Sequence, residues 1–204
     1  MAMEATHVRF ARDLAGRLDA RDLDAYYSGA VYPDSRYATG IPRAATHQDD
    51  RCPNDPFARG LSDFEKGWAT HIAYDQKASV VRQETLAMIP DECRADNWAF
   101  ATAVKLVEDL ESVRLLGDDM SILRRIKLVL RPYGEDPEIM ERYYADLREA
   151  YATPCESVFQ YLPFSLKLGI APERAARMAG LADRLASDPA IRSAILSIYS
   201  KVAI

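Results

Sequence analysis

Histidine and cysteine are scarce in this chain of 204 residues, which contains three of each. The cysteines, Cys52, Cys93 and Cys155, are odd in number and widely spaced. A disulfide framework is therefore not expected, and a reduced, cytoplasmic protein is the simpler interpretation. No apolar run approaches the roughly 20 residues that span a bilayer, so no transmembrane segment is expected. The chain does not open with a basic segment followed by an apolar one, which argues against a secretory signal.

An excess of basic residues is also missing. Lysine and arginine total 26 against 31 acidic residues, and the formal net charge is −5. A general nucleic-acid binder would show the opposite balance, because it must neutralise phosphates. Hydrophobic residues make up 49% of the chain, which is ordinary for a globular protein. We therefore expect a globular protein that acts on a small molecule, with no nucleic-acid partner; the oligomeric state is left open.

The sequence lacks the alternation typical of strands, hairpin dipeptides and internal repeats, whereas apolar residues recur at helical spacing. This pattern predicts one all-α domain over residues 1–204 with about eight or nine helices. Side chains that can cap a helix stand before several of the expected starts. The predicted helices cover residues about 6–18, 22–32, 63–89, 97–116 and 121–131, and others begin at Pro137, Pro154, Pro172 and Pro189.

The segment of about 33–60 differs from the rest of the chain. It contains four prolines, two glycines (Gly40 and Gly60), and several Asp and Asn residues. This composition is typical of a long irregular loop, and loops of that length inside a compact domain are usually functional. We interpret the segment as a metal-site loop.

The three histidines, His7, His47 and His71, all lie in the first 71 residues. His71 and Asp75 are four residues apart on a predicted helix, so both side chains lie on one face. Asp34 follows the end of another helix and begins the loop that carries His47. One His-x-x-x-Asp pair is most often a hydrogen-bonded pair without a metal. Three histidines and Asp34 around one loop favour a site for Zn²⁺, Mn²⁺ or Fe²⁺.

Four short motifs occur in a fixed order: His7 in the first helix, Gly29-Ala30-Val31-Tyr32-Pro33-Asp34, Thr46-His47, and Gly67 to Asp75 with His71 between them. In this order and spacing, the first 80 or so residues resemble the zinc-dependent phospholipase C family, which shares its all-α fold with the P1-type nucleases.

The resemblance implies that Asp34, His47, His71 and Asp75 surround one metal ion. It also implies that Asp75 bridges to a second ion held by His7. The family has a further histidine and a His-x-x-x-Glu pair, whereas this chain has no histidine after His71. One or two zinc ions, or other divalent ions, are therefore expected instead of three.

Other residues near the expected site have two interpretations each. Arg36 and Arg43 could bind a phosphate, or they could be solvated loop residues. Glu108 and Asp109 could replace a missing ligand, but a solvated helix face that also includes Lys105 and Glu111 is favoured. Two interpretations also remain for the tyrosine cluster: it could line a substrate pocket, or it could be ordinary packing. Its members are Tyr26, Tyr27, Tyr32 and Tyr37. The apolar stripe of the last helix could dock a partner, although a core-facing helix is favoured.

These observations predict a metal-dependent hydrolase, most plausibly one that acts on a phosphoester through a metal-activated water. Asp34 is the expected catalytic residue, because it can position or deprotonate that water. The alternative is a non-enzymatic all-α module that binds a metal or senses a ligand. An open coordination position would favour the enzyme, and a closed tetrahedron of protein ligands would favour the module.

Overall fold

The computed structural model of the chain describes residues 4–87, 89, 96–153 and 156–202. Within these ranges the structure is helical and contains no strand, which confirms the all-α prediction. Short 3-10 turns cover Tyr32–Ser35, Gly117–Met120 and Val158–Tyr161. The α-helices are α1 (Glu4–Ala15), α2 (Leu23–Val31), α3 (Arg36–Thr39), α4 (Arg43–His47), α5 (Asp63–Leu86), α6 (Asn97–Leu116), α7 (Ser121–Arg125), α8 (Pro137–Ala150), α9 (Leu162–Lys167), α10 (Pro172–Ser187) and α11 (Pro189–Val202).

Capping side chains begin the longer helices where the sequence predicts them. Ser62 and Glu65 form a capping box at the start of α5, with each side chain bonded to the other residue's backbone N–H. Asp96 accepts a hydrogen bond from the Ala99 N–H at the start of α6. Asp136 does the same for the first turn of α8. The predicted cap before Pro154 involves Pro154 and Cys155, which lie outside the described residues.

Helices α5 and α6 are the longest, and the other helices are arranged around them. α5 packs against α2, α11 and α1, whereas α6 packs against α10, α1 and α11. α1 therefore contacts both central helices and α2. Full burial of a large apolar side chain is worth about 1.5–3 kcal/mol, so the aromatic residues of this core supply much of the driving force for folding. The most completely buried of them are Tyr26, Tyr32, Phe64, Tyr74, Tyr143 and Tyr144.

Two glycines allow α2 and α5 to cross in close contact. A Cβ atom on Gly29 of α2 would overlap the carbonyl group of Phe64 on α5. A Cβ atom on Gly67 of α5 would overlap the carbonyl group of Tyr26 on α2. Each helix thus carries a glycine where the backbone of the other passes, and any larger residue would push the helices apart. Both glycines belong to motifs that also contain a candidate metal ligand.

The segment 33–60 is more regular than predicted. A 3-10 turn, α3 and α4 occupy most of its first half, with irregular backbone at residues 40–42 and after His47. The prolines that suggested a loop lie at compatible positions, because Pro33 stands in the first turn of the 3-10 helix and Pro42 directly precedes α4. The two predicted ligands of this segment, Asp34 and His47, are therefore held by short helical elements.

Packing explains two features whose interpretation the sequence leaves open. Tyr26, Tyr27 and Tyr32 are buried in the core, and the Tyr26 hydroxyl donates to the carbonyl of Ala11 at 2.9 Å. The stripe of α11 faces α5 and α6, with Ile195 and Ile198 fully buried. The core-facing interpretation of the last helix is thus confirmed. None of the described helices has both the length and the apolar character required to cross a bilayer.

Candidate metal centre

The five residues predicted as metal ligands come together in the structure. His7, Asp34 and His71 form one buried group, and His47, His71 and Asp75 form a second. In each group, one ligand atom per residue lies within 4.8 Å of the ligand atoms of the other two. The groups share His71, so the five side chains make one continuous cluster.

Four separate elements bring these side chains to one place. His7 is on α1, Asp34 is in the turn that follows α2, His47 ends α4, and His71 and Asp75 lie on α5. The glycine contacts between α2 and α5 set the distance between the turn and the middle of α5. α4 is attached to α5 by the indole N–H of Trp68, which donates to the carbonyl of Thr46 at 2.8 Å.

Hydrogen bonds orient two of the imidazole rings. Nδ1 of His71 lies 2.8 Å from the carbonyl oxygen of Ala30. A carbonyl only accepts, so Nδ1 carries the proton and Nε2 keeps a free lone pair. Nδ1 of His47 lies 2.8 Å from the hydroxyl oxygen of Thr46, which leaves its Nε2 for the cluster. This arrangement, in which one ring nitrogen is held and the other is free, is typical of metal-binding histidines.

Several buried polar atoms of the cluster have no hydrogen-bond partner. They are both ring nitrogens of His7, Nε2 of His47, Nε2 of His71 and Oδ1 of Asp75. An unpartnered buried polar group costs about 1–3 kcal/mol, and native proteins seldom contain several in one place. One or two divalent ions could give a partner to one ring nitrogen of each histidine and to Oδ1 of Asp75. The residues present therefore fit a metal ion of the kind that imidazole and carboxylate ligands prefer.

The distances within the cluster agree with this fit. Nε2 of His7 lies 3.8 Å from Oδ1 of Asp75, and Nε2 of His47 lies 3.5 Å from Oδ2 of the same carboxylate. Zinc binds nitrogen and oxygen ligands at about 2.0–2.2 Å, so two ligands of one ion stand roughly 3–4 Å apart. The rings of His7 and His71 are stacked, with their centroids 3.6 Å apart.

Burial keeps the histidines in the form that binds metals. It lowers the pKa of His71 to about 4, although the charges of Asp34 and Asp75 oppose it. The pKa of His7 also lies well below its usual range, because of burial and then the neighbouring His71. Neutral imidazole is the form that ligates a metal ion. Both rings are therefore ready to bind an ion at neutral pH without first losing a proton.

The two carboxylates remain ionised despite their burial. Burial alone would raise the pKa of Asp75, but Lys105 and the neighbouring His47 hold it well below its usual range. The pKa of Asp34 is about 2, because surrounding charges, those of His71 and His7 among them, outweigh the effect of burial. The cluster therefore presents neutral nitrogens and charged oxygens together.

The two arginines proposed as substrate contacts both reach the cluster. Nη2 of Arg43 lies 2.9 Å from Oδ2 of Asp75, and the Arg43 side chain is 49% exposed. Nε of Arg36 lies 3.9 Å from Oδ1 of Asp34, and its side chain also stacks on the ring of Tyr37. The exposed arginine thus stands at the solvent side of the cluster.

The prediction of a solvated face on α6 is wrong for Glu108 and Asp109, which are buried. Glu108 accepts hydrogen bonds from the hydroxyl of Tyr74 and from Nη2 of Arg82. Asp109 accepts from the Thr6 N–H at 2.8 Å and from the hydroxyls of Tyr151 and Tyr161 at 2.7 Å each. These partners come from distant parts of the chain, so helical spacing does not reveal them. Neither acid belongs to the two candidate ligand groups.

Sequence reasoning also missed Glu4, which is buried beside Tyr143 and Tyr151. Burial, and then the charges of Asp34 and Asp109, raise its pKa to about 8. The hydroxyl of Tyr143 donates to Glu4 at 3.1 Å. The only signal in the sequence is that Glu4 lies one turn before His7, on the same face of α1.

The cluster thus combines residues that could hold a divalent ion with an exposed arginine beside them. Comparisons of the chain with protein-family models, curated proteins and solved structures found no match.

Proposed function

We propose that this protein is a metal-dependent hydrolase that acts on a phosphoester. The observation that carries the proposal is the set of buried, unpartnered ligand atoms of His7, His47, His71 and Asp75. The motif resemblance to zinc-dependent phospholipases C and P1-type nucleases supports it, as does the all-α fold. We also propose that the chain has the fold of those two families and that the metal is zinc or another divalent ion.

The hydrogen bond between His71 and Ala30 limits how the ligands can be divided between two ions. Because Nδ1 of His71 is occupied, only Nε2 can bind a metal, and one imidazole nitrogen serves one ion. A first ion would use His71 with His47 and Asp75, or with His7 and Asp34. A second ion would then rely on the ligands that remain, either His7 and Asp34 or His47 and Asp75. The proposed stoichiometry is therefore one or two ions per chain.

A bound divalent ion would supply Lewis acidity, which activates water and polarises a phosphoryl oxygen. The residues of the chain supply the rest of the chemistry. Asp34 stays ionised and accepts the proton of the attacking water. Arg43 holds Asp75 in place through its ion pair and offers further donors to the substrate. Burial of the histidines excludes bulk water from the inner side of the site.

The first test is elemental analysis of protein purified without a chelator. We expect about one to two equivalents of a divalent transition metal per chain. Asp75→Asn preserves the volume of the side chain but removes its charge, so metal content and hydrolysis of chromogenic phosphoesters should both fall. His71→Ala should have the same effect. Asp50→Asn is the matched control, because Asp50 is exposed and follows α4.

The results distinguish the enzyme from the non-enzymatic module. Full hydrolytic activity in Asp75→Asn would show that the reaction occurs elsewhere. Stoichiometric metal without hydrolysis of any phosphoester would favour a metal-binding or ligand-sensing module. No bound metal in the wild-type protein, even after reconstitution, would contradict both functions.

A further inference from the structure

A cavity of about 210 Å³ lies beside Asp75, between α5 and α6. Its polar lining residues come from three helices: Arg43, Asp75, Ser79, Arg82, Gln83 and Lys105. Asp75 belongs to both the cavity and the metal cluster, so the two spaces share a wall. A group bound in the cavity would therefore stand next to any ion held by Asp75.

Positive charge exceeds negative charge around this cavity. Arg43, Arg82 and Lys105 carry three positive charges, and Asp75 is the one acidic residue among the described residues of the lining. Behind the lining, Glu108 accepts from Nη2 of Arg82 at 2.9 Å. Counting both acids still leaves one positive charge, before any metal ion is added.

Two of the cations have unused hydrogen-bond donors. The Arg82 side chain is only 9% exposed, and its buried Nε has no hydrogen-bond partner. Within the described part of the chain, Lys105 forms no hydrogen bond and no ion pair, although the charge of Asp75 acts on it. A buried donor such as Nε of Arg82 normally has an acceptor, and Lys105 stands beside it at a partly buried position. An anion in the cavity would supply the acceptor that the described chain does not.

Building on the proposed function, we propose that this cavity is an anion subsite that binds the phosphoryl group of a phosphomonoester. A monoester carries close to two negative charges at neutral pH and has three terminal oxygens, which match several cationic donors. A diester has one charge and two such oxygens, and its second substituent would need space within the same small cavity. The inference thus narrows the substrate from phosphoesters in general to monoesters.

The subsite can be tested without any enzymatic reaction. Inorganic phosphate is titrated by calorimetry into protein freed of metal with a chelator, so that binding reports on the cavity and not on an ion. Lys105→Met removes the charge and preserves the length of the side chain. We expect its dissociation constant for phosphate to rise about tenfold or more, the usual effect of losing a charged hydrogen bond. Lys77→Met, an exposed lysine on α5, should bind like the wild type.

Equal dissociation constants for the wild type and Lys105→Met would overturn the subsite. So would the absence of measurable phosphate binding in the wild type. Because Lys105→Met alters a partly buried position, Arg43→Gln provides a second variant at an exposed side chain, and it should also weaken binding.

Substrate preference is tested separately on the metal-loaded protein. The wild type should hydrolyse 4-nitrophenyl phosphate with a higher kcat/KM than bis(4-nitrophenyl) phosphate, and Lys105→Met should reduce that ratio about tenfold. A preference for the diester that Lys105→Met leaves unchanged would overturn the monoester assignment. Phosphate binding that depends on Lys105, in a protein that hydrolyses neither ester, would support the subsite and contradict the proposed function.

Discussion

Tyrosine hydroxyls allow this protein to bury acidic residues that are not among the five candidate metal ligands. Asp109 receives two such hydroxyls, Glu108 receives that of Tyr74, and Glu4 receives that of Tyr143. A buried acid without donors would cost several kcal/mol, whereas a neutral hydroxyl supplies a donor without adding charge. The eleven tyrosines of the chain are thus as important for its electrostatics as for its packing.

Glu4 should make the stability of the protein depend on pH. Its pKa is about 8 in the folded state against 4.5 as the ordinary value, so between these values the folded protein holds a proton that the unfolded chain has lost. Stability therefore falls as pH rises from about 4.5 to 8, by up to about 1.4 kcal/mol per pH unit. In Glu4→Gln this contribution should be absent. Chemical denaturation at several pH values measures it.

The control for this experiment is Glu141→Gln, which changes an exposed residue of α8 and should leave the wild-type pH dependence intact. Parallel stability curves for Glu4→Gln and the wild type would show that Glu4 titrates normally in the folded state.

Glu108→Gln should destabilise the protein strongly, contrary to what a solvated face would imply. The substitution leaves Arg82 buried without its counter-charge, and breaking a buried ion pair in this way costs about 3–5 kcal/mol. Urea denaturation would measure the loss. Glu84→Gln, at an exposed position on α5, should change stability by less than about 0.5 kcal/mol. A similarly small loss in Glu108→Gln would mean that the pair with Arg82 contributes little.

At the scale of elements, the crossing of α2 and α5 determines the geometry of the site. It sets the position of Asp34, in the turn after α2, relative to His71 on α5. The hydrogen bond from His71 to Ala30 joins the same two helices. Neither helix has room for a side chain at the crossing, so their separation is fixed by backbone contacts. The position of the ligands thus depends on residues that bind no metal.

Gly67→Ala tests this dependence. The added methyl group would meet the carbonyl of Tyr26, so the helices must separate, at a cost of about 1–3 kcal/mol. Metal affinity should fall as well, because Asp34 and His71 move apart. Gly180→Ala is the control: it lies in α10 with open space around it, and alanine there should stabilise by up to about 1 kcal/mol. Thermal denaturation measures the stability of both variants, and a metal titration measures their metal affinity. If Gly67→Ala had the stability and metal affinity of the wild type, the close contact between α2 and α5 would be contradicted.

Local sequence signals predict well where helices begin, but they predict poorly which polar side chains of those helices are buried. The starts of α5, α6 and α8 were predictable, because a capping side chain and its backbone partner lie within three residues of each other. The five candidate ligands were predictable from the order of their motifs. Burial of Glu108 and Asp109 was not, because their partners stand 26 to 103 residues away along the chain. Likewise, the cavity beside Lys105 exists only because α4, α5 and α6 meet.

For the molecule as a whole, metal binding should act as a stabilising link between elements. His7, Asp34, His47 and His71 come from four different parts of the chain, so an ion that binds them favours the folded state alone. At a free metal concentration 100 times the dissociation constant, this adds about 2.7 kcal/mol. We expect a chelator to lower Tm by about 5–10 °C, measured by scanning calorimetry. In His71→Ala the chelator should have no effect, and an equal shift there would place the metal at another site.

The first helix depends on parts of the chain that are made much later. Thr6 is bound to Asp109, and Asp13 accepts a hydrogen bond from Tyr199, 186 residues further along. A ribosome that has released the first 80 residues has therefore exposed all five candidate ligands, but not the helices that hold α1 in place. Contacts of such long range form late in folding. A completed metal centre would thus form only after synthesis has reached α11.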